Sequence, residues 1–169
     1  MENIEKYAEL LNMLCISFDG AELGKKVTQK MFYFFERKGI PLNLRYGIYY
    51  YGPYSSKLDN ILHILESEDY IEINTEAATH VISTKNTQFD SILLVDEKDV
   101  ATTVIKAFAH KTPLELEALA TMDFVFNSMN CTTKEQVVTS FKSVKGNKFN
   151  DRMIDETFST LVEMKLIAV

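Results

Sequence analysis

Cysteine, proline, glycine and tryptophan are all scarce in this chain of 169 residues, and each shortage excludes something. The two cysteines, Cys15 and Cys131, lie far apart and in no metal-ligand spacing. A zinc module or a disulfide-stapled scaffold is therefore not expected, and two free thiols in a reducing cytoplasm is the simplest reading. Three prolines and six glycines stand against eleven phenylalanines and eight tyrosines, the opposite of a disordered composition. No run of about 18 apolar residues occurs, so no membrane-spanning helix and no membrane partner are expected. The start, Met1-Glu2-Asn3-Ile4-Glu5-Lys6, lacks the basic and then apolar character of a signal peptide, and a cytoplasmic protein is expected. Positive charge is also in deficit: 18 basic against 24 acidic residues give a net charge of -6. A whole-chain basic footprint for nucleic acid is missing.

Catalytic signatures are missing too. His63, His80 and His110 are in no metal-binding spacing, and no G-x-S-x-G, G-x-G-x-x-G or P-loop motif occurs. Gly20 and Gly24 lead into Lys25-Lys26 without the Ser or Thr that a P-loop needs straight after its lysine. The carboxylate pairs Glu115/Glu117 and Asp96/Glu97 read as a capped helix start and a solvated turn. No catalytic residue, metal or cofactor is assigned, and an unrecognised hydrolase-type site is the remote alternative.

What is present is hydrophobic periodicity. It predicts helices over 3–16, 25–38, 55–67, 97–109, 113–128, from about 132 to 145, and from Asp151 to Met164. Start signals support several of them: Ser56 to Asp59, Thr112-Pro113 to Glu115, Thr132 to Glu135, and Asn150. Phe18-Asp19-Gly20 reads as a turn. Leu44 to Tyr51 reads as one strand closed by Gly52-Pro53, and 70–73 with 79–82 as a hairpin. Ile92-Leu93-Leu94-Val95 fits either a buried strand or a helix start.

An internal echo sets the architecture. Leu58-Asp59-x-x-Leu62-x-x-Leu65 before Tyr70-Ile71-Glu72-Ile73 resembles Ile154-Asp155-x-x-Phe158-x-x-Leu161 before Leu166-Ile167-Ala168-Val169. Each is an amphipathic helix running into a short apolar segment, as in the third helix and following strand of a winged helix. The expectation is a mainly α (α+β) fold of tandem winged-helix-like units with a short β-hairpin and edge strands. The first unit with its N-terminal helix would cover 1–96 and the second 97–169, sharing one core.

Charge is unevenly spread. Residues 25–45 hold Lys25, Lys26, Lys30, Arg37, Lys38 and Arg45 against Glu36, and 142–152 hold Lys142, Lys145, Lys148 and Arg152 against Asp151. The helices that a winged-helix reader would lay in the major groove carry Asp59, Glu66, Asp155, Glu156 and Glu163. Carboxylates there repel phosphates and give no counterion release. DNA binding would have to use a local patch of Lys25, Lys26, Lys30, Lys145, Lys148 and Arg152. Ordinary solvated helix surface is the plainer account of these lysines.

The densest local feature is Tyr46-Gly47-Ile48-Tyr49-Tyr50-Tyr51-Gly52-Pro53-Tyr54. A strand there sends Tyr46, Ile48 and Tyr50 to one face and Tyr49 and Tyr51 to the other. Such rings either bind a partner, giving large contact area with a polar tip, or pack inside the protein with their hydroxyls at the rim.

Lys26-Val27-Thr28-Gln29-Lys30, then Gly39-Ile40-Pro41-Leu42, then Tyr51-Gly52-Pro53-Tyr54-Ser55 resembles the YwgA-like proteins of bacteria and archaea. Their pattern is a K-x-x-Q-K helix, a G-x-x-L link, an aromatic strand and a Y-G-P-Y-S turn. More distantly, the order resembles the SocA-like (Panacea) antitoxin domains. The likeness covers about 25–75, and a P-x-E-L-E-x-x-A-T-like run near Thr112 to Thr121 adds to it. The resemblance implies architecture first, and an antitoxin or adaptor role through protein contact second.

The combined expectation is a non-catalytic regulatory module that binds a protein partner through Tyr49, Tyr51 and Tyr54, with Arg45 and Lys57 at the rim. A homodimer is compatible with it. A winged-helix DNA-binding regulator is the alternative.

Overall fold

The computed structural model describes residues 3–18, 22–76, 78–88 and 90–169. Among these, seven helices and five short strands follow in the order α1 (Ile4–Ser17), β1 (Leu23–Gly24), α2 (Lys25–Arg37), β2 (Gly47–Tyr49), β3 (Gly52–Tyr54), α3 (Ser56–Ser67), β4 (Ile71–Asn74), β5 (Val81–Thr84), α4 (Val95–Phe108), α5 (Pro113–Ser128), α6 (Lys134–Lys145) and α7 (Asp151–Glu163). The fold is mainly α with two small antiparallel sheets, as the periodicity predicts. Asp19 and Gly20 of the expected turn lie outside the described residues. The chain forms two compact units: Met1–Tyr46 with Ser55–His110, and Gly47–Tyr54 with Lys111–Val169.

Unit 1 has the helix and strand order expected of a winged helix. Helices α1, α2 and α3 are followed by the β4–β5 hairpin, and β1 pairs with β5 in the sheet order β1-β5-β4. Strand β4 alternates buried and exposed residues, so Ile71 and Ile73 face the core. Helix α2 is buried nearly all round because Met31, Phe32, Phe34 and Phe35 meet neighbours on several sides. Phe32 stacks on Tyr7 of α1, and Phe34 stacks on Phe108 of α4 with centroids 4.3 Å apart. That second stack explains why α4 belongs to unit 1. Unit 1 thus runs on through α4 to His110, and unit 2 takes Lys111–Val169 together with Gly47–Tyr54.

Residues 92–94 are neither strand nor helix, which answers the ambiguity in the sequence. The buried Glu9 carboxylate accepts hydrogen bonds from the Ile92 and Leu93 amides and the Ser91 hydroxyl. Glu97 reaches back to the Leu94 amide and starts α4.

The expected strand from Leu44 to Tyr51 is instead the second arm of a link followed by a tight hairpin. Asn43 and Arg45 adopt φ of 53° and 54°, which no strand contains. The Leu44 amide donates to Glu36 rather than to a ladder. Strands β2 and β3 pair Gly47 with Tyr54 and Tyr49 with Gly52. The turn is therefore Tyr50-Tyr51, and Gly52 takes φ +88°, the left-handed position that closes a short hairpin loop.

In unit 2, α5 packs against α6, α7 and β3. Thr112 and Glu115 form the expected reciprocal cap of α5. Thr133, not Thr132, caps α6, just as Ser55, not Ser56, caps α3; Asn150 caps α7 as expected. The tail from Leu166 to Val169 is not a strand. The amides of Leu166 and Ile167 both donate to the Leu161 carbonyl and terminate α7, so they cannot enter a ladder. The second half of the internal echo thus ends in a helix cap with two buried apolar side chains.

Candidate functional site

The β2–β3 hairpin presents three consecutive tyrosines. Tyr49, Tyr50 and Tyr51 are 58%, 81% and 45% exposed. Placing Tyr50 and Tyr51 in the turn replaces the alternating faces expected of a strand. The rings support one another edge to face: Tyr50 on Tyr51 with centroids 4.8 Å apart, and Tyr49 on Tyr54 at 5.4 Å. Such pairs each add about 0.5–1.5 kcal/mol beyond area burial.

The hairpin is fixed from beneath by a group that sequence reasoning did not assemble. Glu117 of α5 is buried. One of its oxygens lies 2.6 Å from Lys145 Nζ and 2.7 Å from Lys148 Nζ, and the other lies 2.9 Å from Lys148. Lys145 also donates to the Tyr50 carbonyl at 2.9 Å, so α5, the end of α6 and the turn share one ammonium. The Lys148 ammonium lies over the rings of Tyr51, Tyr50 and Phe149 at 5.4, 5.8 and 5.9 Å, within cation–π range. Burial pushes the Glu117 carboxyl up, but hydrogen bonds and charge from the two lysines outweigh this and hold it below its ordinary value.

Backbone proximity completes the anchor. A Cβ on Gly52 would fall 2.5 Å from Thr121 Oγ1 and 3.5 Å from the Glu117 carbonyl. Only glycine lets β3 approach α5 so closely. The Thr121 hydroxyl at this contact is buried without a hydrogen-bond partner among the described residues.

The remaining sequence candidates are dispersed. Arg45 is exposed in the link, and Lys57 of α3 donates to the Asn43 carbonyl; both belong to unit 1, whereas the hairpin belongs to unit 2. In the basic set, Lys25 pairs with Asp59, Lys30 is buried and Arg152 pairs with Glu156. Lys145 and Lys148 are brought together, but on a carboxylate. Lys26 is exposed on α2. Tyr46 lies in unit 1, where its hydroxyl donates to the Gln29 carbonyl and its ring meets Tyr33 edge to face. Burial above all, with the Glu36 charge behind it, pushes its phenol well above the ordinary tyrosine value.

The sequence reads Glu117 with Glu115 as a capped helix start, but only Glu115 serves the cap and Glu117 is a buried ion-pair partner. Its signal was available: a carboxylate inside a helix that is apolar on most sides must find a cation. Lys145 and Lys148, in a stretch of four basic residues with Asp151 as its one acid, were the natural source. Both cysteines are free, Cys131 buried and Cys15 half-buried. No described helix is long and apolar enough to cross a membrane. No protein-family model matches the chain, and no curated protein matches it.

Proposed function

We propose that this chain is a non-catalytic regulatory or adaptor-like module that binds another protein through the hairpin tip formed by Tyr49, Tyr50 and Tyr51. The observation that carries this reading is the exposure of three adjacent tyrosines on a turn whose backbone is held by Lys145 and whose strand is seated against α5. Tyrosine gives large amphipathic contact area with only two side-chain torsions to order. A turn already fixed by a buried ion cluster loses little further freedom on binding. The resemblance of residues 25–75 to the YwgA-like and SocA-like proteins supports the same class, an antitoxin or adaptor acting by contact. Free thiols at Cys15 and Cys131 suit a cytoplasmic setting. A second copy of the chain is one candidate partner.

Site-specific photo-crosslinking tests the reading. A benzophenone side chain at Tyr50, in the native host, is expected to trap one discrete protein adduct that excess wild-type chain suppresses. A variant with Tyr49, Tyr50 and Tyr51 changed to Ser should not suppress it. Loss of the adduct's specificity, or equal suppression by the triple variant, removes the hairpin from the reading.

The alternative, a DNA-binding regulator, draws on the strand and helix order of unit 1. Against it, Lys30 is buried and Lys25, Lys145, Lys148 and Arg152 are engaged by carboxylates. Titration of labelled random duplex at low salt separates the two. Micromolar affinity with a steep salt slope would favour DNA; its absence favours protein contact.

A further inference from the structure

We propose that the partner bound by the tyrosine tip presents a carboxylate to Lys148, within a short segment that is otherwise apolar or aromatic. This rests on the reading of the hairpin as a protein-binding surface and names what that surface recognises.

The charges beneath the tip do not cancel. Two ammoniums, Lys145 and Lys148, face one carboxylate, Glu117. The hairpin segment 47–54 has no charged side chain, and Asp151, the acid nearest in sequence to Lys148, pairs with Lys142. One positive charge is therefore in surplus at this place.

The two lysines divide the work. The Lys145 side chain is 4% exposed and bridges Glu117 to the Tyr50 carbonyl, which makes it the structural cation. The Lys148 side chain is 35% exposed. Two of its hydrogen bonds go to the Glu117 oxygens, and an ammonium has three N–H donors. The rings of Tyr50, Tyr51 and Phe149 hold it in place and exclude part of its water, yet they carry no formal charge. The surplus cation is thus fixed, partly desolvated and set among aromatic rings. Its complement is a single carboxylate flanked by groups that pack on tyrosine.

A nucleic-acid strand fits less well. Aromatic rings do offer stacking platforms, but a phosphate chain needs a row of cations along its path. Beside the tip only Lys148 is in surplus, and the chain as a whole carries a net charge of -6.

Selection from a random dodecapeptide display library on the full-length chain tests this. Peptides lost when Tyr50 and Tyr51 are changed to Ser define binders of the tip. These are expected to be enriched in Asp or Glu beside aromatic or aliphatic residues. Changing the acid to its amide in a selected peptide should weaken binding to the wild type by about tenfold, the scale of one rim charge contact. Lys148→Gln should erase that difference, and Lys148→Arg should restore it. The peptide amide comparison needs no variant protein, so it stands even if Lys148→Gln unfolds. Tip-dependent peptides with no acid enrichment, or indifferent to the amide change, would overturn the carboxylate assignment and leave the protein-binding surface standing. A library yielding no tip-dependent peptide would overturn both. Tip-dependent binding of a labelled random 20-nucleotide single strand would assign the surface to nucleic acid instead.

Discussion

Gln29 and Ser55 are joined by two hydrogen bonds inside unit 1: the Gln29 amide donates to the Ser55 carbonyl at 3.0 Å, and the Ser55 amide donates to Gln29 Oε1 at 2.9 Å. Both residues are buried. Ser55 also caps α3 by accepting from the Leu58 amide, and its hydroxyl donates to the Leu44 carbonyl. One glutamine on α2 thus fixes the chain at the end of the 44–55 segment, while its own carbonyl takes the Tyr46 hydroxyl near the start. Gln29 belongs to the K-x-x-Q-K stretch and Ser55 to the Y-G-P-Y-S turn, so these two separated sequence patterns form one hydrogen-bonded element.

Gln29→Ala should therefore be costly. It strands the buried Ser55 N–H, an orphaned group that costs about 1–3 kcal/mol, whereas the Ser55 carbonyl keeps the Asp59 amide as its donor. A loss of about 1–3 kcal/mol is expected from urea unfolding. Gln29→Glu should be nearly as damaging, because a buried carboxylate oxygen would face the Ser55 carbonyl oxygen and has no proton to donate to it. A loss below about 0.5 kcal/mol for both would show that the pair is not structural.

Gly52→Ala combines positive-φ strain with the 2.5 Å clash against Thr121 Oγ1. Gly146, at φ +56°, has nothing within 4 Å of its missing Cβ. Gly146→Ala should cost about 1 kcal/mol from backbone strain alone, and Gly52→Ala about 2 kcal/mol more. Paired denaturation curves check the difference. Gly52→Ala should also alter the near-ultraviolet signal of the hairpin tyrosines, whereas Gly146→Ala should leave it unchanged.

Glu117 gives unit 2 an acid-sensitive joint. Its folded value lies below the ordinary 4.5. Its ionised form thus stabilises the fold fully above the unfolded value, and the contribution is lost as pH falls through the folded value. Glu9 and Glu97 of unit 1 shift in the same direction. Stability should fall as pH drops below about 4.5. Glu117→Gln should cost about 3 kcal/mol at neutral pH, because Lys145 is left buried beside a neutral amide. The variant should also show a shallower loss of stability on acidification. Melting temperatures measured from pH 7 to pH 3 test both statements; a parallel pair of curves would refute the second.

Glu9 predicts a local rather than global effect. Its carboxylate holds the Ile92 and Leu93 amides at 2.8 and 3.0 Å. Both amides are expected to be protected from hydrogen exchange although they lie in no regular element. Glu9→Ala should release them by at least about tenfold, while the amides of β4 stay protected. Uniform acceleration across unit 1 would contradict this.

The legibility of the chain follows the range of the forces involved. Helix α5 was readable to the residue because Thr112, Pro113 and Glu115 are adjacent and their chemistry is local. The caps at 55 and 133 were misplaced by one residue because Ser55-Ser56 and Thr132-Thr133 each offer two equivalent hydroxyls, and packing chooses between them. The strand reading of 44–51 was defeated by the positive φ of Asn43 and Arg45, in a link whose Leu44 amide donates to Glu36 and whose Asn43 carbonyl accepts from Lys57.

The order of the helices and their extent to within a residue or two were thus determined by the amino-acid sequence alone, through periodic burial and local capping. The state of the charges was decided by tertiary structure. Glu117 is separated from Lys145 by 28 positions and from Lys148 by 31, and Lys145 reaches a carbonyl 95 positions away. Local patterns carry no information about such pairings, because Coulomb energy depends on distance in space. Two of the lysines that a linear count assigns to a phosphate patch, Lys145 and Lys148, hold a buried carboxylate and steady the turn at Tyr50 and Tyr51.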